Sequence, residues 1–196
     1  MKLSEHTVEV LKNFASINQN LVIKEGNTLT TMSAMKNIVA KAEVEESFKK
    51  EVAIYDLNEF LASLSLFKSP VLEFDESFVT IKEENTTTSL KYFYSDPSVV
   101  TTPSKTIKMP SKEVTFSLKG EDLTKLKRAA GVIGAPDLVL ERKDTGSFLT
   151  VKDKKNDTAN TFSLDVTTTS EGNFNCFFTV ENLKVMDGNY DVEISS

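Results

Sequence analysis

Apolar residues recur every three to four positions over residues 5–17, so that Thr7, Val10, Leu11, Phe14 and Ile17 share one face. That spacing predicts an amphipathic helix, with Ser4 as its N-cap and a short strand before it. The pattern then changes to strand-like runs at about 20–24, 28–33, 37–45 and 50–55. Glu25-Gly26-Asn27 separates the first two runs as a hairpin turn would. Asp56 and Glu59 have capping-box spacing for a second helix, with Leu57, Phe60, Leu61 and Leu64 facing inward. Strands fit 71–74, 78–82 and 89–94.

The same series starts again after residue 112. A strand at 113–119 leads through Gly120 into a helix with Leu123, Leu126, Ala130 and Ile133 inward, ended by Gly134 and Pro136. Strands follow at about 137–142, 147–152, 159–167 and 174–178. Thr179 is placed to cap a short helix containing Val180, Leu183 and Met186. Asp187-Gly188-Asn189 reads as a turn before a last strand at 190–194. A layout that begins twice predicts two similar domains side by side. By the repeat, about two strands, roughly 20–30 residues, are expected beyond Ser196, through either truncation of the chain or an abbreviated second domain.

Residues 95–112 carry three prolines and no helical pattern, as an extended linker does. The expected limits are 1–100 for the first domain, 101–112 for the linker and 113–196 for the second domain. The fold class is α+β, with amphipathic helices packed on antiparallel sheets in each domain.

Composition narrows the function. The chain has 39% hydrophobic and 27% charged residues, as globular proteins do. No stretch approaches the ~18 apolar residues of a membrane helix, and the N-terminus has no apolar signal region, so a cytoplasmic location is expected. The single Cys176 excludes an intrachain disulfide and reads as a buried thiol. A formal net charge of −6 argues against simple electrostatic capture of DNA. It leaves room for a protein that holds DNA topologically and needs only a locally basic wall. His6 is the only histidine, no Cys/His cluster is spaced for zinc, and no glycine loop is built for phosphate. No enzyme, metal or cofactor is expected.

Met1-Lys2-Leu3-Ser4, the run LKNFASIN from Leu11, the run VAIYDLNEFLASLSL from Val52, and Asp187-Gly188-Asn189-Tyr190 resemble the DNA polymerase sliding clamps of T4-type bacteriophages. The resemblance covers the whole chain in layout and is closest in the first 70 residues. It implies a homotrimeric ring of two clamp-type domains per subunit, with helices lining a hole for double-stranded DNA and sheets outside. It also implies loading by a clamp loader ATPase, tethering of the DNA polymerase, support of phage late transcription, and a location in an infected bacterial host.

In such a ring the polar helix faces point at DNA. The candidates are Lys12 on the first helix, Lys68 after the second, Lys125, Lys127 and Arg128 on the third, and Lys184 on the short last helix. They would contact phosphates without reading bases. Glu5 and Glu9 share the face of Lys12 and make the first domain's lining less basic. By resemblance, ring closure pairs the strand near 89–94 with that near 160–167, making Phe93, Phe162 and Leu164 interface candidates, although each could equally be a core side chain. Ile107 and Met109 in the linker, with Met35 at a turn, are candidates for the rim of a pocket that takes partner peptides.

Two other readings compete. A β-rich phage structural or adhesion module without DNA binding would also be acidic and Thr-rich, but would not carry two amphipathic helices per repeat. A single-strand binding protein would expose aromatics among basic residues, whereas the Phe residues here mostly alternate inward.

Overall fold

The structure, a computed structural model, describes residues 1–103, 110–170 and 172–195. The chain divides into two compact units, 1–106 and 107–196. In the first, α1 (Glu5–Ile17) is followed by β1 (Leu21–Ile23), β2 (Gly26–Met32), β3 (Val39–Phe48) and β4 (Val52–Ile54). Then come α2 (Leu57–Ser65), β5 (Val71–Phe74), β6 (Phe78–Lys82) and β7 (Ser89–Phe93). The second unit runs β8 (Val114–Leu118), α3 (Gly120–Ile133), β9 (Asp137–Lys143), β10 (Gly146–Lys152), β11 (Phe162–Val166), β12 (Phe174–Thr179) and β13 (Tyr190–Ile194).

Local sequence explains the helices. The Ser4 hydroxyl accepts the Thr7 N–H at 3.2 Å, and the Asp56 carboxylate accepts those of Asn58 and Glu59 at 2.9 and 3.1 Å. Each satisfies donors that the first turn leaves without partners. Gly134 ends α3 with φ 66°, a left-handed conformation that suits glycine. Thr7, Val10, Leu11 and Phe14 are buried on α1, Leu57, Phe60, Ser63 and Leu64 on α2, and Leu123, Leu126 and Ala130 on α3. Leu61 and Ile133, expected inward, are only half-buried.

All ladders are antiparallel, and they reveal the repeat. In the second unit the order β11-β10-β9-β12 places the strand after the helix beside the fourth strand of the series. The first unit makes the matching pairs, β1 with β4 and β2 with β3. β8 pairs with β13, and at the equivalent place Met1 exchanges two 2.7 Å hydrogen bonds with Leu72 of β5. β6 and β7 have no counterpart in the second unit among the described residues. There Phe162, Leu164, Phe174, Phe178, Val192 and Ile194 pack on the core while staying half-buried.

Three expectations need correction. No regular strand precedes α1; the pairing of Met1 with Leu72 takes its place. β1 and β2 do not form a hairpin ladder: Gly26 turns the chain at φ 104°, the β2–β3 register shifts between Gly26 and Thr28, and β1 pairs with β4. The helix expected after Thr179 is one 3-10 turn, Val180–Asn182, without a side-chain cap. Two valines, Asn182 and Gly188 give so short a window little helix propensity. Residues 95–100, inside the expected limits of the first domain, pack on the first unit. The Ser95 N–H donates to the Ala53 carbonyl at 2.9 Å, Pro97–Val99 form a 3-10 turn capped by Asp96, and Val100 is buried against Val22 and Ala53.

Candidate functional site

Among the described residues no three His, Cys, Asp or Glu side chains could hold a metal ion. Among the described residues no helix is long and apolar enough to cross a membrane. The Cys176 thiol is half-buried; burial, and then the charge of Glu113, push its pKa up, so it stays a protonated packing group. His6 is exposed on α1. The candidate surfaces are therefore the polar helix faces and the sheet edges.

On α3, the buried stripe of Leu123, Leu126 and Ala130 turns Lys125 and Arg128 outward. Lys125 makes one exposed contact with Asp122 at 3.5 Å, which leaves its ammonium accessible. Val132, four residues beyond Arg128 on the same outward face, is 78% exposed. The sequence pattern did not single it out, although its i+4 spacing from Arg128 was visible. Lys127 is half-buried, and its ammonium donates to the Val185 carbonyl at 3.3 Å. The three basic residues of α3 thus split into two exposed charges, Lys125 with its one contact to Asp122 and Arg128, and one tether.

On α1, Lys12 is exposed on the same polar face as Glu5, His6 and Glu9. On α2, Asn58, Glu59, Ala62 and Ser65 are exposed. Lys68 is exposed beyond the helix, where its backbone N–H is held by Glu83. Lys184 lies past the 3-10 turn on no helix face and is half-buried. The structure therefore places Lys12, Lys125 and Arg128 on outward helix faces, Lys68 beyond one, and Lys127 and Lys184 elsewhere.

β7 and β11 end their sheets, so each presents an edge unpaired among the described residues. Phe93 on β7 is 65% exposed, with its ring 5.5 Å from that of Phe78 and the Lys91 ammonium 4.5 Å over Phe78. Phe162 and Leu164 on β11 instead pack against the core of their own unit. Strand alternation decides this, since Ser163 and Asp165, the alternate residues of β11, face outward. Met35 is 84% exposed at the tip of the β2–β3 hairpin, beside Lys36 at φ 59°. Ile107 and Met109 lie outside the described residues.

Comparison with known proteins puts these surfaces in context. Residues 2–102 match the family model for DNA polymerase processivity factor, and residues 115–196 match that for the gp45 sliding clamp, C terminal. The chain is 35% identical to the sliding clamp of Vibrio phage KVP40, over 99% of this chain and 90% of that protein. It is 31% identical to the sliding clamp of Enterobacteria phage T4, over 97% and 85%. Among solved structures, the proliferating cell nuclear antigen of Thermococcus kodakaraensis superposes with a TM-score of 0.68 at 15% identity, covering 96% of this chain and 85% of that one. The A. fulgidus protein bound to the C-terminal region of FEN-1 also gives 0.68, at 14% identity, over 93% and 79%. At such identities the structural likeness concerns the fold, which is that of the DNA clamps.

Proposed function

The chain belongs to the DNA polymerase processivity factor family, the sliding clamps of T4-like phages, and from that premise we propose that it closes as a homotrimer around duplex DNA. The ring tethers the replicative DNA polymerase for processive synthesis. Residues 1–100 and 113–196 form its two clamp domains and 101–112 join them. The observation that carries this reading is the repeated strand pairing around helices that bury one face and leave the other free.

Lys12, Lys68, Lys125 and Arg128 make phosphate contacts, which hold without reading sequence and so permit sliding. Lys127 and Lys184 have lesser parts, one tethered to Val185 and the other off the helices. Subunits join by strand pairing between the edges of β7 and β11, with Phe93 as the exposed apolar contact. Phe162 and Leu164 support that edge from inside their own core. Met35, together with Ile107 and Met109, rims the pocket for partner peptides. The chain itself has no phosphate-binding glycine loop, so ATP hydrolysis falls to a separate clamp loader ATPase, and this chain acts without catalysis of its own. It works in the cytoplasm of an infected bacterium, where it also supports late transcription.

The test is solution mass by light scattering together with polymerase extension on a primed circular template. A mass three times the 21.8 kDa chain and long products that require the protein are the expected result. A monomer at every concentration, with no stimulation of synthesis, overturns the proposal.

A further inference from the structure

We infer that Asn18 is a positioning residue for partner binding: its side-chain amide joins the base of the β2–β3 hairpin to the start of the linker, and so fixes how the two are presented together. This rests on the reading above that Met35 rims a pocket for partner peptides, and it names the residue that holds that rim in place.

Asn18 is only 9% exposed. A buried amide is costly unless its donors and acceptor are met, and here all are met. Nδ2 donates to the Met32 carbonyl at 2.8 Å and to the Thr101 carbonyl at 3.4 Å, while Oδ1 accepts the Asn20 N–H at 3.0 Å. Local structure does not call for asparagine at this place. The backbone of Asn18 is extended, with φ −148° and ψ 133°, so the left-handed conformation that favours asparagine after a helix is not used. Its N–H closes α1 on the Phe14 carbonyl at 2.8 Å, which any residue but proline could do. What the side chain adds is the link between Met32 and Thr101.

The hairpin beyond Met32 is tied so that its tip follows its base. Ser33 is buried, and its hydroxyl accepts the N–H groups of Asn37 and Ile38 at 3.2 and 3.1 Å. Its own N–H donates to the Ile38 carbonyl at 2.9 Å. Met35 stands out from this knot, 84% exposed. On the linker side, Val100 is buried against Val22 and Ala53. The Thr102 hydroxyl is buried without a partner among the described residues, which works against docking of the segment. The Asn18 amide works for it, and the same amide holds the hairpin base. A partner segment that touches both the hairpin and the linker needs them at one spacing. A spacing fixed before binding costs no ordering when the partner arrives.

The experiment measures, by surface plasmon resonance on the whole chain, binding of the polymerase that the protein stimulates in primer extension. N18D keeps the acceptor and the shape of the side chain but loses both donors. N18S is the second variant should N18D fail to fold, since its single hydroxyl proton serves one carbonyl at most. I81V, at a fully buried site in the β5–β7 sheet, controls for lost stability, and solution mass checks assembly. N18D is expected to bind polymerase about tenfold more weakly through lost preorganisation, with I81V binding as wild type does. M35A is also expected to weaken binding, and N18D/M35A to bind no worse than the weaker single variant, because both act through one contact. Wild-type binding by N18D and N18S, with M35A weakened, overturns the inference and leaves the pocket reading intact. Equal weakening by I81V assigns the effect to stability and overturns it as well. Wild-type binding by M35A overturns the pocket reading, and this inference falls with it.

Discussion

Asn189 caps α3 from 69 residues away: its Oδ1 accepts the Gly120 backbone N–H at 2.8 Å. The helix has no cap from its own N-cap residue, Lys119. A Cβ on Gly120 would stand 2.8 Å from the Gly188 carbonyl oxygen, so the turn before β13 and the start of α3 fit only around a glycine.

Removing this cap separates two costs. N189A is expected to destabilise the second unit by about 1 kcal/mol, the usual value for a lost N-cap. G120A is expected to cost more, roughly 1–3 kcal/mol, because the obstacle is backbone that cannot rotate away. Urea unfolding midpoints give the order. If G120A proves as stable as wild type, the close approach to Gly188 is not a constraint.

Glu46 of β3 ties α1 to the sheet, its carboxylate accepting the Ser4 backbone N–H and the Thr7 hydroxyl. Burial pushes its pKa up, but the hydrogen bonds from Thr7 and Ser4 outweigh that and hold it below the ordinary 4.5. The folded value is therefore below the unfolded one. The contribution is fully present above the ordinary value of 4.5 and is lost as pH falls through the folded value. E46Q is expected to be about 1 kcal/mol less stable than wild type at pH 7, after allowance for partial exposure. The difference should shrink as pH falls below 4.5 and through the folded value. A gap that is constant with pH would mean that the charge plays no part.

Lys125 and Arg128 are exposed on one face of α3 and anchor nothing in their own unit apart from the weak contact of Lys125 with Asp122. K125E/R128E is expected to leave solution mass unchanged and to lower processive synthesis by about tenfold through lost phosphate contacts. Normal stimulation of the polymerase would remove these residues from the DNA-facing set.

Phe93 is exposed on the edge strand β7, in contact with Phe78. An apolar residue of this kind at the centre of an interface contributes about 2 kcal/mol or more to association. F93D is expected to shift assembly to at least thirtyfold higher protein concentration, with the fold retained by circular dichroism. An unchanged mass profile across dilution would place the subunit contact elsewhere.

The two halves of the proposed interface show how far the sequence could be read. Phe93, Phe162 and Leu164 all stand on strands of mixed pattern, and their residue types do not say which face is covered. Phe93 is outward because β7 ends its sheet and packs Tyr92 inward. Phe162 and Leu164 are inward because the core of the second unit lies on their side of β11. The basic residues behave similarly. The period of α3 announced Lys125 and Arg128, but the engagement of Lys127 by Val185 depends on a segment far along the chain.

What the sequence by itself determined is whatever is settled within a few residues. The buried stripe Thr7, Val10, Leu11 and Phe14, the caps Ser4 and Asp56, the stop at Gly134 and the restart of the series after residue 112 all follow from local spacing and side-chain chemistry. Tertiary structure alone decided which strand meets which. Backbone groups pair by distance in space, and one strand pattern is compatible with many partners. Hence β1 joined β4 rather than β2. Asn189, read from the sequence only as a turn residue, and Glu46 became caps for helices far from them in sequence, because folding brought them to N–H groups that needed acceptors.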